Sequence, residues 1–323
     1  MTEEAEPQTS PAAGIGGPHP AAVWRKFYGN RMGMFGMIML LMILVVAVFA
    51  PWLAPFDPQK NVEATTADFL APPSPTHILG QDDAGKDVLS SVIYGARISL
   101  LVGFAASLLI ITLGTVLGML AGYFGGRVDM LIMRFVDVVL VIPQLPLMLI
   151  IIAIWGRGLL NIILVIGLLS WPHPSRVVRS QVLSVKQRKY VLRARAIGVG
   201  DLLIMVRHIL PQVLPVTLAD GILDVSWAIL SEASLSFLGL GDPTLISWGS
   251  MLHRAFARGA VTREAWWFLL PPGLALAWVT IALSFVGNAV QEIVNPRLKT
   301  HHLFDERGMV AIPRPSGSDV QAH

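Results

Sequence analysis

Long uncharged apolar runs constrain this chain more than any other feature of its sequence. A bilayer core of about 30 Å needs roughly 20 apolar helical residues. Five uncharged runs meet or approach that length, at residues 32–50, 98–126, 138–155, 158–175 and 265–291. A sixth run, 209–231, is apolar except for Asp220 and Asp224. Because backbone groups in hydrocarbon must satisfy their own hydrogen bonds, all six are predicted to be helices, and none alternates like a barrel strand.

The composition agrees with a membrane protein. Charged residues make up 14% of the 323 residues, against about 25% in soluble proteins. The chain has no cysteine, which excludes disulfides, thiolate catalysis and cysteine-based zinc sites. The first run exceeds the apolar core of a signal peptide and ends in Pro51-Trp52, so it is predicted to be a permanent helix.

Lysine and arginine are distributed unevenly between the loops. With the N-terminus placed inside, 17 of these bases lie on the inner side and 7 on the outer side. Cytoplasmic loops carry an excess of Lys and Arg. Both termini are therefore predicted to be cytoplasmic.

Composition also divides the chain into four parts. Residues 1–24, rich in Pro, Ala, Gly and Glu, are predicted to be a disordered cytoplasmic tail. Residues 25–96 hold the first transmembrane helix and an extracytoplasmic loop. Residues 97–295 hold a core of five transmembrane helices with a cytoplasmic loop at 176–208, called the basic loop below. Residues 296–323 form a second cytoplasmic tail.

Three glycines predict close helix packing. Gly114, Gly118 and Gly122 recur every four residues and therefore share one helix face. Small side chains on one face let another helix approach closely. The alternative is that glycine is simply common in membrane helices.

Prolines predict where the helices bend. Pro143 and Pro146 lie early in the run 138–155, and Pro211 and Pro215 open the run 209–231. Each proline removes a backbone donor, so each is predicted to kink or start a helix rather than continue one.

The basic loop contains the most informative segment. A short amphipathic helix is predicted from Tyr190 to Ile197, with a stop at Gly198 and Gly200. A second helix is predicted to enter the membrane at Pro211. An exposed basic helix with a glycine stop suits docking by another protein, and a basic anchor on anionic lipid is the alternative.

This segment resembles the EAA loop of binding-protein-dependent ABC importer permeases. Ala194, Gly198 and the pair Leu210-Pro211 match the motif. Leu192 and Arg193 stand where the motif has its Glu and first Ala, so the ionic contact usually made by that Glu is not carried over. The layout of helix, glycine and helix is retained.

Further segments resemble permeases for dipeptides, oligopeptides and nickel, in the order found in that family. They are LAPFDP (53–58), typical of the second, C-type permease, LGQDDAGKDVLSSVIYGARISLLVG (79–103), AGYFGGRVDMLIMRFVD (121–137), SEASLSFLGLG (231–241) and SWGSML (247–252). The resemblance covers about 25–298. It implies an all-α integral membrane protein of the bacterial plasma (inner) membrane, with six transmembrane helices of the MetI-like ABC importer permease type.

The resemblance also implies partners. These are a second homologous permease, two cytoplasmic ATP-binding subunits, an extracytoplasmic peptide-binding protein and the lipid bilayer. The ATPase-docking coupling helix then comprises Arg193, Ala194, Arg195, Ala196, Ile197, Gly198, Val199, Gly200 and Asp201. ATP hydrolysis belongs to the partner subunits, so the chain is expected to be no enzyme, to hold no metal or cofactor and to bind no nucleic acid.

One motif resembles a phosphate-binding loop but lacks the residue that would hold magnesium. Gly80, Gly85 and Lys86 nearly spell a phosphate-binding loop. Asp87 stands where Ser or Thr would hold magnesium, and no apolar strand precedes the motif. No nucleotide site is therefore expected there.

Several polar residues in or near the apolar runs have competing interpretations. Asp220 and Asp224 share a helix face, and lining a polar cavity or pairing with neighbours is favoured over a proton or cation relay. Arg134 and Asp137 are predicted to form a local ion pair, and His173 is predicted to be structural.

The functional hypothesis is a permease that forms the path for dipeptides or oligopeptides, with nickel, glutathione or oligosaccharide as alternative substrates. An ion-coupled secondary transporter would explain Asp220 and Asp224. It also predicts inverted repeats with paired broken helices, which the sequence does not display. A membrane-embedded scaffold or receptor is the third alternative.

Overall fold

The computed structural model describes residues 25–58 and 69–294, and the predicted tails 1–24 and 296–323 lie outside them. The described residues are helical apart from turns and one isolated bridge between Gln81 and Asp87. In chain order the elements are α1 (Arg31–Val48), α2 (Ala50–Leu53), α3 (Val88–Phe124), α4 (Gly126–Val141), α5 (Gln144–Trp155), α6 (Leu159–Ser170), α7 (Pro172–Val185), α8 (Lys189–Ala196), α9 (Asp201–Ile204), a π turn (Met205–Ile209), α10 (Leu210–Phe237), α11 (Trp248–Ala257) and α12 (Trp266–Val294).

The described helices form a membrane-protein bundle. Four of them are long and apolar enough to cross a bilayer, namely α1, α3, the continuous helix Asp201–Phe237 and α12. Helices α4 and α5 meet at 89° and give a fifth span only if the bent pair is counted as one. Helix α6 has 12 residues, about 18 Å, which is too short to cross alone. The all-helical fold is confirmed, but the described residues provide four or five full-length spans rather than six.

The prolines behave differently in the two places where they cluster. Helix α4 ends at Val141 and α5 begins at Gln144, so the predicted break at Pro143 is confirmed. Pro211 is the second residue of α10 and follows the π turn directly, so the predicted interruption is confirmed there, whereas Pro215 lies inside α10 and its prediction is wrong. The π turn widens the backbone immediately before Pro211, where the ring would otherwise clash with the carbonyl four residues earlier.

Helix α3 is the central element, and its glycine face packs on α7. A methyl group added at Gly118 would lie 2.5 Å from the carbonyl oxygen of Ser175. One added at Gly122 would lie 2.8 Å from Cβ of Val182, and the same crowding occurs at Gly114. The close helix approach predicted from the glycine spacing is therefore confirmed. Helix α10 also packs against α3.

Helix α12 closes the bundle by packing against α1 and α10. Trp278 donates from Nε1 to the carbonyl oxygen of Met39 at 3.2 Å. Asn30, which caps α1, donates from Nδ2 to Glu292 at 3.0 Å. These contacts hold the first helix against the last one.

The end of the bundle away from the basic loop, called the opposite end below, is closed by α11. Trp248 is fully buried there and donates from Nε1 to the carbonyl oxygen of Val92 at 2.9 Å. Glu232 is 2% exposed and accepts from Oγ of Ser236 at 2.6 Å. Its other oxygen lies 3.5 Å from Oγ of Ser99 on α3. The segments 231–241 and 247–252, singled out in the sequence, therefore fold against each other and against α3.

Large apolar side chains cover the outer surface of the bundle. Val141 is 82% exposed and Ile154 is 76% exposed. In each of the four long helices, at most 39% of the most apolar 18-residue stretch is buried inside the bundle. A surface of this kind has to be covered by lipid or by further helices.

Candidate docking loop and membrane path

The basic loop is a structured element. Helix α8 ends at Ala196, and Gly198 follows with φ +82°. The amide of Val199 donates to the carbonyl of Ala194, and that of Gly198 donates to the carbonyl of Arg195. This pair of bonds is the Schellman arrangement, which uses a left-handed glycine to end a helix. The predicted helix and its stop at Gly198 are confirmed.

Helix α8 has one buried face and one exposed face. Val191 is 0% exposed and Ala194 is 7% exposed, and both belong to a cluster with apolar side chains of α3, α7, α9, α10 and the π turn. Arg193 and Arg195 point outward, and Ile197 is 81% exposed. A short helix that is fixed on one side and presents bases and an apolar residue on the other has the form of a docking element.

Tyr123 joins this loop to α3. The residue is 4% exposed, and its hydroxyl donates to Oδ1 of Asp201 at 2.5 Å. The guanidinium carbon of Arg195 lies 5.2 Å from the centre of the Tyr123 ring, within the range of a cation–π contact. Sequence analysis placed Arg195 and Asp201 in the coupling motif but did not identify Tyr123, which lies in a different apolar run.

Ion pairs between α4 and α7 support the same end of the bundle. Arg179 binds both carboxylate oxygens of Asp129. Arg176 donates to Asp137 at 2.6 Å. The predicted pair between Arg134 and Asp137 is therefore wrong. Packing of α7 across α4 brings a base from another helix to Asp137 in place of its neighbour in sequence.

The two intramembrane acids have different surroundings. Asp220 accepts from Nε2 of Gln291 on α12 at 2.6 Å, and His173 lies near its carboxylate. Oδ2 of Asp224 is buried and has no hydrogen-bond partner among the described residues. Buried polar atoms normally have a partner, so the carboxylate of Asp224 is an exception to that rule. His173, which was predicted to be structural, is an exposed neighbour of Asp220.

The glycine-rich segment 80–87 is a turn and a helix cap. Oδ1 of Asp82 accepts from the amides of Ala84 and Lys86, each at 2.8 Å. Asp87 caps α3 by accepting from the amide of Ser90 at 2.8 Å. Lys86 donates to the carbonyl of Pro58 at 2.7 Å. The side chains of Asp82, Lys86 and Asp87 in the apparent phosphate-binding motif thus each have a local structural partner. Among residues 25–58 and 69–294, no three His, Asp or Glu side chains could hold a metal ion.

The apolar helical bundle, with a structured loop at one end, defines a multi-pass membrane protein. Residues 114–300 match the model of the family described as binding-protein-dependent transport system inner membrane component. Residues 21–82 match the N-terminal transmembrane domain of oligopeptide transport permease C. The chain belongs to the first of these families and is a permease of the ABC importer type.

Curated relatives cover most of the chain. A di/tripeptide transport system permease protein DppC from Pseudomonas aeruginosa is 38% identical over 85% of this chain and 91% of its own length. A dipeptide transport system permease protein DppC from Haemophilus influenzae is 36% identical, over 85% and 94%. An oligopeptide transport system permease protein OppC from Bacillus subtilis is 33% identical, over 85% and 88%.

Proposed function

We propose that this chain forms one half of the translocation path of an ATP-driven importer of short peptides. A second, homologous permease forms the other half. Two ATPase subunits dock at the coupling loops of the two permeases, one of them at the basic loop of this chain, and a peptide-binding protein delivers substrate at the opposite end. The basic loop and both termini are then cytoplasmic, in agreement with the excess of bases on that side. Peptides are the proposed substrate because the similar permeases are named for dipeptides, tripeptides or oligopeptides.

The observation that carries this proposal is the attachment of α8. The helix is held by its buried face, by its glycine turn and by the contacts of Tyr123 with Asp201 and Arg195. Its exposed face, with Arg193, Arg195 and Ile197, is available to a partner. A lipid anchor needs no such rigid attachment, whereas a docking helix that transmits movement does.

The connection from this loop into the membrane is short and stiff. A single continuous helix runs from Asp201 to Phe237 and carries Asp220 and Asp224. A displacement of α8 by an ATPase therefore reaches this helix through the turn at Gly198 and Gly200. In this mechanism, ATP-driven closure of the two ATPases moves the two coupling helices together and shifts access from one side of the membrane to the other.

Asp220, Asp224 and His173 contribute a polar wall to the proposed path. Asp220 is held by Gln291, while Asp224 retains an oxygen without a partner among the described residues. Polar and ionisable residues inside a membrane are usually functional because they are costly to bury. A hydrated path or a polar group of the second permease would supply the missing hydrogen bond.

Uptake into reconstituted vesicles tests the proposal. The chain is co-reconstituted with its partner permease, ATPases and binding protein, and uptake of trialanine is measured with ATP or with a non-hydrolysable analogue. ATP-dependent uptake that is lost in the surface variant Ile197→Glu supports docking through α8. The control Val261→Glu changes a residue of similar exposure, 67%, at the opposite end, and it should leave the amount of ATPase that co-purifies with the chain unchanged. Uptake driven by an ion gradient without ATP would contradict the proposal.

A further inference from the structure

A cleft opens at the opposite end of the bundle, far from the basic loop. It encloses about 610 Å³ and lies where the segments around Pro58, Lys86, Arg157 and 236–254 meet. Three cationic side chains line it, those of Lys86, Arg157 and Arg254, together with His253. Asp242 is the one carboxylate among the lining residues.

Most of these polar groups already have partners. Arg254 donates to Asp82 at 3.1 Å, and Nδ1 of His253 lies 2.7 Å from the carbonyl oxygen of Phe237. Asp242 accepts from the hydroxyl of Thr244 at 2.6 Å, from the amide of Thr244 at 2.9 Å and from the amide of Leu159 at 3.3 Å. The hydrogen bond from the Thr244 hydroxyl lowers the pKa of Asp242. The carboxylate is therefore ionised and fixed in the wall of the cleft.

Two positive charges in the cleft are not balanced by a described carboxylate. Within the part of the chain that the structure describes, the Lys86 ammonium binds only a carbonyl oxygen, that of Pro58. Arg157 lies at the turn between α5 and α6, is exposed, and has no hydrogen-bond or ion-pair partner in residues 25–58 and 69–294. The cleft therefore offers a carboxylate an unpaired guanidinium and an ammonium group.

An apolar groove continues from the cleft. It encloses about 340 Å³ and shares Leu245 and Ile246 with the cleft. Its other lining residues are Tyr94, Arg97, Ile98 and Leu101. Positive charge beside an apolar groove that contains tyrosine and arginine is typical of a protein interface rather than of a site for a free ion.

We infer that this cleft receives an acidic side chain of the binding protein, with Arg157 as its principal contact and Lys86 as the second cation. The inference rests on the proposed function, because that function places a binding protein at this end of the bundle. Charge complementarity favours a carboxylate, and the adjoining groove favours a carboxylate carried by a protein surface. Complementary rim charges act mainly on the rate of encounter and depend on salt.

The test measures ATPase stimulation of the reconstituted complex as a function of the concentration of its binding protein. In Arg157→Glu we expect the half-maximal concentration to rise about fivefold to twentyfold at low ionic strength, and the difference to shrink as salt is added. Arg157→Lys, which keeps the charge, should stay within about threefold of wild type. Arg263→Glu changes an exposed arginine of the same end outside the cleft and should raise the half-maximal concentration less than Arg157→Glu does.

The outcomes separate this inference from the proposed function. An unchanged half-maximal concentration in Arg157→Glu, with normal ATP-dependent uptake, overturns the inference and leaves the importer intact. If the complex without binding protein binds trialanine but not trialanine amide, and loses that binding in Arg157→Glu, the cleft serves the substrate carboxylate and the inference is also overturned. If a binding protein does not stimulate the ATPase activity of the wild-type complex, both the inference and the proposed function are overturned.

Discussion

The hydroxyl of Tyr123 and the carboxylate of Asp201 are joined by a hydrogen bond of 2.5 Å across 78 positions of the chain. Tyr123 is the penultimate residue of α3, and Asp201 begins the long helix that carries the two intramembrane acids. The bond therefore connects the centre of the bundle to the turn that follows α8. A short bond between a hydroxyl and a carboxylate is among the stronger hydrogen bonds in proteins.

Removing this hydroxyl should weaken coupling more than docking. In Tyr123→Phe the carboxylate of Asp201 loses its donor, which costs about 1.5–3 kcal/mol for a bond to a charged group, less any compensation by water. We expect less peptide transported per ATP hydrolysed, with the ATPase still bound. The control is Tyr190→Phe in the same loop, because the Tyr190 hydroxyl is buried without a partner among the described residues. If the two variants transport the same amount of peptide per ATP hydrolysed, the hydrogen bond between Tyr123 and Asp201 does not couple the loop to the bundle.

The turn after α8 should require glycine at position 198 but not at position 200. Gly198 has φ +82° and open space around it, so Gly198→Ala adds backbone strain without a clash. That strain is about 1–2 kcal/mol, or roughly a fivefold to thirtyfold loss of ATPase affinity if docking requires this turn. Gly200 has φ −62° and equal space, so Gly200→Ala should bind the ATPase as wild type does. Titration of purified ATPase against each permease variant measures the difference.

The contact between α3 and α7 should not tolerate even one methyl group. In Gly118→Ala the new carbon would meet the Ser175 carbonyl oxygen at 2.5 Å, so the helices must separate. Overpacking of this kind costs about 1–3 kcal/mol. Gly273→Ala on α12 is the control, because its added carbon meets nothing within 4 Å. Thermal unfolding in mild detergent should show a lower midpoint for Gly118→Ala only, and matching midpoints would contradict the packing described.

The intramembrane acids should tolerate loss of charge. Asn at position 220 can still accept from Gln291, and Asn at position 224 keeps a polar group of nearly the same shape that cannot ionise. The double variant Asp220→Asn with Asp224→Asn should therefore keep ATP-dependent uptake within a few-fold of wild type. Undiminished uptake also excludes a proton or cation relay. A large loss of uptake with normal ATPase binding would instead favour the relay.

What could be predicted from the sequence was mainly local. The stop at Gly198 follows from a left-handed residue that ends a helix, and the face of Gly118 follows from the four-residue spacing. Both rules act within one helix, so neither needs knowledge of the fold. The segments that resemble the permease family also predict, from the sequence alone, where along the chain these features lie.

What could not be predicted depended on contacts between distant segments. The partner of Asp137 is Arg176 on another helix rather than the nearby Arg134, and no local spacing rule contains that information. The same holds for Tyr123 and Asp201. The two proline clusters differ because a π turn precedes Pro211, whereas the backbone at Pro143 turns by 89° between two short helices. The sequence pattern around each proline does not distinguish these outcomes.

The central claim is that residues 194–201 dock an ATPase. The most direct measurement is co-purification of the tagged chain in mild detergent, comparing wild type with a variant in which 194–201 are replaced by a Gly/Ser linker. The account predicts that an ATPase and a second permease accompany wild type, and that the variant loses the ATPase while it keeps the second permease. Absence of any ATPase from well-folded wild-type protein, or its retention by the linker variant, would contradict the account.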